Sequence, residues 1–164
     1  MQPYATAGWD NYFIAAVGAT AGLVGLLFVA VSINLNEILK NDALPGRAID
    51  ALVVLGDVLF VAILALLPGQ TPRSLGLCAL ACGGVAWAWT LYLQLRTGRR
   101  PGEPLNWLVG RILATQLATL PMIAAGISLL VERGGGLYWT APAMLISIFT
   151  ALFDAWVLLV EIQR

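Results

Sequence analysis

The sequence predicts an all-α integral membrane protein, a single compact bundle of five transmembrane helices over residues 1–164. Three observations lead there. Sixty per cent of the residues are hydrophobic and only 11% are charged, against roughly 25% charge in an average soluble domain. Mean hydropathy is +0.85 over 164 residues, and a chain this short has too much surface to hide that much apolar matter from water. The apolar residues also fall into five runs of about 20, the length a helix needs to cross a bilayer.

Taken in order, the spans run over 12–35, 48–67, 75–95, 105–131 and 139–162. None alternates with period two over ten residues, so a membrane barrel is not expected. A helix satisfies its own backbone within each segment, as lipid demands. The first span has 24 apolar-rich residues, too many for a cleaved signal, and Asp10 without Lys or Arg precedes it, so it is expected to remain in the protein. Turn formers separate the spans: Leu44-Pro45-Gly46-Arg47, Pro68-Gly69-Gln70-Thr71-Pro72, the stretch 97–104, and 132–136. Pro121 falls inside the fourth span, where it removes a backbone donor and is expected to kink the helix near Leu117. Pro142 follows Thr140 at the start of the fifth, where proline is tolerated.

Charges in the connections set the expected orientation. Lys40, Arg47, Arg96, Arg99, Arg100 and Arg164 fall on one side, and Arg73 with Arg133 on the other. Six against two predicts the N-terminus outside and the C-terminus in the cytoplasm. Trp9, Tyr12, Tyr138 and Trp139 then mark the outer interface as belt residues, while Trp87 and Trp89 lie deeper, one of them expected against a neighbouring helix or an oligomer partner.

The nine basic and nine acidic residues cancel, which removes the basic face a nucleic acid requires. The absence of histidine excludes histidine-ligated haem and metal sites and every His-dependent triad. Eight of the nine basic residues are Arg, a skew expected of a GC-rich bacterial genome and hence of a bacterial cytoplasmic membrane. Cys78 and Cys82 are four apart on the third span and read as small apolar fillers, not as a redox pair. No metal, cofactor or catalytic motif is expected.

Ionisable residues within lipid each require an explanation, because insertion there costs several kcal/mol. Asp57, Arg111 and Asp154 are the three. At 1.5 Å per residue, Arg111 and Asp154 reach similar depth on adjacent spans and are expected to form an intramembrane ion pair. Asp57, near mid-depth, is the alternative partner for Arg111; otherwise it is protonated, wetted or bonded to polar neighbours. Asp50 lies two turns from Asp57 and shares its face. With Asn34 and Asn36 at the inner end of the first span, these carboxyls are expected to line a polar vestibule, making Asp57, Asp50 and Asn34 candidates for an ion or proton path. Thr115, Gln116 and Thr119 add hydrogen-bonding groups on the fourth span. Along the first span Gly18 and Gly22 form a GxxxG, and Gly18, Gly25 and Ser32 recur at seven-residue spacing. Small residues in this pattern let backbones approach, either within the monomer or between protomers of a homo-oligomer.

Two stretches carry a resemblance. Trp9-Asp10-Asn11-Tyr12-Phe13 with Gly25 to Leu35 is one, and Leu44-Pro45-Gly46-Arg47-Ala48 leading to Leu67-Pro68-Gly69-Gln70 is the other. Over the first 70 residues they resemble a family of small, uncharacterised bacterial multi-pass membrane proteins, some labelled modulators of a membrane-bound AAA protease. The residues themselves point to a non-enzymatic, self-associating protein with a polar cytoplasmic-side vestibule suited to ion or proton conduction or small-solute transport. The competing reading is a regulatory or scaffold protein that binds another membrane protein and whose intramembrane charges are structural.

Overall fold

The computed structural model describes residues 3–40, 44–97 and 105–160. It is all-helical among these residues, in the order α1 (Asp10–Ile33), α2 (Leu35–Lys40), α3 (Leu44–Ala65), α4 (Pro72–Thr97), α5 (Leu105–Val131) and α6 (Thr140–Val160), with a 3-10 turn over Gly136–Trp139. All but α2 are long and apolar enough to cross a membrane. Each of the five expected spans thus corresponds to a helix long and apolar enough to cross a membrane, and the helix ends are fixed by local chemistry. Arg99, Arg100 and Arg164, used in the orientation argument, lie outside the described residues.

The α4 helix starts at Pro72, three residues before the hydropathy run begins, because Thr71 caps it. The Thr71 hydroxyl accepts from Ser74 N at 3.1 Å and the Ser74 hydroxyl accepts from Thr71 N at 2.9 Å, satisfying donors that a helix start leaves open. Pro45 and Gly46 do not delay α3, since a first turn has no use for proline's missing donor. Glu132 closes α5 with φ +55° while Arg133 N donates to Ser128 O at 3.2 Å, a left-handed cap of the Schellman type. The α2 turn, too short to register in hydropathy, is held by buried Ile38.

The helices run up and down, with α3 central and packed on α1, α4 and α6, while α5 joins α4 to α6. Aspartates apart, the inward face of α3 is apolar: Val54, Leu55, Val58, Val61 and Ala62 are all buried. Two apolar clusters result. One, at the N-terminal end of the bundle, gathers Trp9, Phe13, Val58, Val61, Met122 and Met144. The other, nearer α2, joins Leu27, Ile38, Leu44, Leu55, Ala155 and Leu158. The N-terminal end is closed by a strap: Leu137 N donates to Pro3 O at 2.8 Å and Gly135 N to the Tyr4 hydroxyl at 3.1 Å. Gly136 lies in the left-handed region at φ +53°, and a Cβ there would overlap the Pro3 carbonyl.

One expectation about packing is corrected, and of the two alternatives for the α1 glycines the one within the monomer is removed. Trp9 is not a belt residue but is 5% exposed, set edge-on to Tyr12 and Tyr138 at 5.5 and 5.1 Å. The ring is drawn inward because the strap and the start of α1 cover it. Tyr138 and Trp139 are exposed. The glycines that bring helices together are also not those of α1. Gly18, Gly22, Gly25 and Ser32 are exposed, and a Cβ at any of the three glycines meets nothing within 4 Å. Close approach occurs instead between α4 and α5, where a Cβ on Gly126 would stand 2.7 Å from Leu80 N and 2.9 Å from Gly76 O.

Candidate functional site

Polar side chains converge between α3, α5 and α6 in the half of the bundle nearer α2. Arg47 and Asp50 come from the first turns of α3, Arg111 and Thr115 from α5, and Thr150 and Asp154 from α6; they line a cavity of 490 Å³ with Ala51, Val54, Gly110, Ala114, Phe149 and Phe153. The helices put these residues together by simple register. Arg47, Asp50, Ala51 and Val54 follow a three–four spacing on α3, and Arg111, Ala114 and Thr115 do so on α5, so each set occupies one face.

The cavity's wiring differs from the expected pairing. Asp154 is met by Arg47, whose Nε is 3.6 Å from Oδ1, with side chains 17% and 21% exposed. Arg111 makes no carboxylate contact within 4.0 Å among the described residues. Arg47 wins because the first turn of α3 stands directly beside the last turns of α6, a neighbour that depth counting along α5 alone does not reveal. Arg111 shares the cavity with Asp154 and Asp50, and its alternative partner Asp57 lies elsewhere.

Asp50 is 6% exposed and accepts from Gln94 Nε2, at 3.4 Å, through one oxygen. The same amide donates to the Thr115 hydroxyl at 2.8 Å, and that hydroxyl donates to Arg111 O at 2.9 Å. Gln94, which the hydropathy argument passed over, is thus the connector between α3 and α5. Its signal in the sequence was only a glutamine among apolar residues. Five buried side-chain atoms lack a hydrogen-bond partner among the described residues: Arg47 Nε, Asp50 Oδ1, Asp57 Oδ1, Gln94 Oε1 and Arg111 Nε. Three belong to residues lining this cavity and a fourth to the amide that holds Asp50. Buried polar atoms are rarely left unpaired, so their concentration in one place marks a site.

Asp57 does not join them. It is 5% exposed and faces a separate groove of 520 Å³ between α3 and α4, with Gly56, Phe60, Cys82 and Val85. Two turns of helix raise it about 10 Å above Asp50, to a level where different neighbours enclose α3; a shared face is not a shared cavity. Asn34 is likewise apart. Its amide donates to Leu158 O at 2.9 Å and to Ala30 O at 3.3 Å, tying the end of α1 to α6. Asn36 is exposed. Asp57 and Asn34 thus do not join Asp50 as expected; the cavity that Asp50 lines is built with Arg111, Arg47 and Asp154 instead. On α5, Gln116 accepts from Trp87 Nε1 at 2.7 Å, which makes Trp87 the deep tryptophan that packs against a neighbouring helix; Trp89 is exposed. Thr119 bonds back to Thr115 O at 2.9 Å.

The fold and the site together define a multi-pass helical bundle with a charged cavity set within its apolar spans. Compared with protein-family models, with curated proteins and with solved structures, the chain matches none.

Proposed function

We propose that this chain is a non-enzymatic, multi-pass protein of a bacterial cytoplasmic membrane, with the N-terminus outside, that takes a small charged molecule into a vestibule reached from the cytoplasmic side. One observation carries the reading: two arginines and two aspartates meet in a single cavity, and Arg47, Asp50 and Arg111 each keep a buried polar atom without a hydrogen-bond partner among the described residues. A purely structural clasp needs only Arg47 and Asp154. Retaining Asp50 and Arg111 as well costs several kcal/mol, a cost that an occupant able to complete their hydrogen bonds offsets. Binding with alternating release fits better than an open pore, since Val58, Val61 and Met122 fill the bundle beyond the cavity.

Cysteine accessibility tests this. Cys78 and Cys82 are replaced by Ala, Thr150→Cys is added, and sealed vesicles of each orientation receive a membrane-impermeant, charged thiosulfonate. Labelling from the cytoplasmic face alone is expected. Labelling only from outside, or from neither face, refutes the vestibule.

A second reading concerns association. Gly18, Gly22, Gly25 and Ser32 form an exposed stripe with open space before it, which favours self-association through α1 and is equally the face a regulatory partner in the membrane would use. Gly22→Leu is expected to abolish crosslinked oligomers while leaving the monomer folded; unchanged crosslinking refutes that assignment.

A further inference from the structure

The vestibule reading leaves the occupant's chemistry open, and three features of the cavity narrow it. The first is a gradient of polarity along the helices. From the α2 end inward, α3 contributes Arg47 and Asp50, then Ala51 and Val54; α6 contributes Asp154, then Phe153, Thr150 and Phe149; α5 contributes Arg111, then Ala114 and Thr115. Charge is thus concentrated at the end toward α2, and the deeper wall is largely hydrocarbon. A wholly polar solute gains nothing from that wall, whereas an amphiphile matches both ends.

The second feature is the mouth. Phe149 is 71% exposed and Phe153 is 49% exposed, so the rings that border the cavity on α6 also stand on the outer surface of the bundle. Opposite them on α5 is Gly110, itself exposed, where a Cβ would meet nothing within 4 Å. The missing side chain leaves open space on the α5 side of the cavity, beside the exposed rings of α6, and this is where a lipid would reach the charged end without leaving the membrane.

The third feature is the sign of the charges. Arg47 already faces Asp154 at 3.6 Å. The groups left over are one cation, Arg111, and one anion, Asp50, with Arg111 Nε and Asp50 Oδ1 lacking partners. An anionic head would satisfy Arg111 but confront two carboxylates. A trimethylammonium head carries the right charges but has no N–H to give Asp50 Oδ1. A phosphate joined to a primary ammonium satisfies both. The volume of 490 Å³ is that of an ordinary ligand pocket, roughly 300–1,000 Å³.

We infer that the α3–α5–α6 cavity binds a phosphoethanolamine phospholipid that enters sideways between α5 and α6, with Arg111 on its phosphate and Asp50 on its ammonium. The inference rests on the reading of this cavity as a binding vestibule, and replaces its soluble occupant by the headgroup of a lipid that comes from the side.

The test uses the full chain, delipidated in detergent, with dioleoyl phosphatidylethanolamine, phosphatidylcholine or phosphatidylglycerol added back and retention followed by native mass spectrometry. Free phosphoethanolamine serves as a soluble competitor. One phosphatidylethanolamine per chain is expected, retained at least tenfold better than the other two lipids. Asp50→Asn should reduce that preference to less than twofold, and Arg111→Gln should abolish retention. Should the Arg111 variant fail to fold, Gly110→Leu decides: it fills only open space, so the chain folds, and lateral access is lost along with the lipid. Equal retention of all three lipids overturns the proposal, as does full retention by Gly110→Leu. If phosphoethanolamine competes at the same concentration as the lipid and Gly110→Leu retains it, the site serves a soluble zwitterion; the lipid is then wrong and the vestibule stands. No retention of lipid or competitor, together with a Thr150→Cys that never labels, ends both.

Discussion

Gly126 offers the sharpest test of how this bundle is held together. Replacing it by alanine adds one methyl group, whose Cβ would stand 2.7 Å from Leu80 N, 2.9 Å from Gly76 O and 2.9 Å from Leu80 Cα. Ordinary contact between such atoms begins near 3.5 Å, so α4 and α5 must separate by about 0.8 Å at this point. The atoms in the way are backbone, which no rotamer change can clear. Overpacking of this kind costs about 1–3 kcal/mol, and alanine's better helix propensity returns up to ~1 kcal/mol. The expected result is a net loss of roughly 1–2 kcal/mol.

Gly84, on α4 itself, is the internal comparison, because a Cβ there meets nothing within 4 Å. Gly84→Ala should therefore be neutral or gain up to ~1 kcal/mol from propensity alone. Equilibrium unfolding in mixed micelles with rising dodecyl sulfate, followed by far-UV circular dichroism, reads both variants against the wild type. Opposite signs are expected. If Gly126→Ala proves as stable as Gly84→Ala, the close α4–α5 approach does not exist and the packing argument fails.

Two further perturbations address the polar contacts. Asp154→Asn removes the carboxylate nearest Arg47; loss of a fully buried partner costs about 3–5 kcal/mol, and the partial exposure of this pair, 17% and 21%, lowers the expectation to roughly 1–3 kcal/mol in the same unfolding assay, so an unchanged midpoint would refute the pair. Asn34→Ala removes the bond to Leu158 O at 2.9 Å and should cost about 1 kcal/mol, with faster amide exchange confined to the last turns of α1 and α6; uniform exchange across the bundle would contradict a local tie.

The spans were legible because a bilayer makes simple demands on composition, and a run such as that over 48–67 meets them whatever its neighbours are. The ends were less so, since Thr71 and Ser74 extend α4 through hydrogen bonds that hydropathy does not weigh. Of the site, Asp50, Arg111 and Asp154 were visible as charges where lipid was expected. Their partners were not, because pairing depends on which helices are adjacent. Arg47 read as a loop charge, yet the α3–α6 contact brings it to Asp154. Gln94 was invisible for the same reason: its importance lies in reaching both Asp50 and Thr115 across helices.

The glycines make the same point and carry it further. A glycine pattern states where backbones are free to approach, not which ones do. In α4 and α5 the freedom is used within the chain, and Gly76, Gly83 and Gly126 lock those helices together. Along α1 it is unused, and at Gly110 it leaves a gap beside charged groups. A glycine within a helix costs about 1 kcal/mol relative to alanine, so an exposed one that touches nothing in its own chain is stabilised by no intramolecular packing. As proposed, contacts that would offset this cost lie outside the chain, with a second protein at α1 and a lipid at Gly110. The proposed roles of the two faces are thus separable: Gly22→Leu should change assembly and spare lipid retention, and Gly110→Leu should do the reverse. Loss of both properties in either variant would mean that the cavity forms only in the assembled protein.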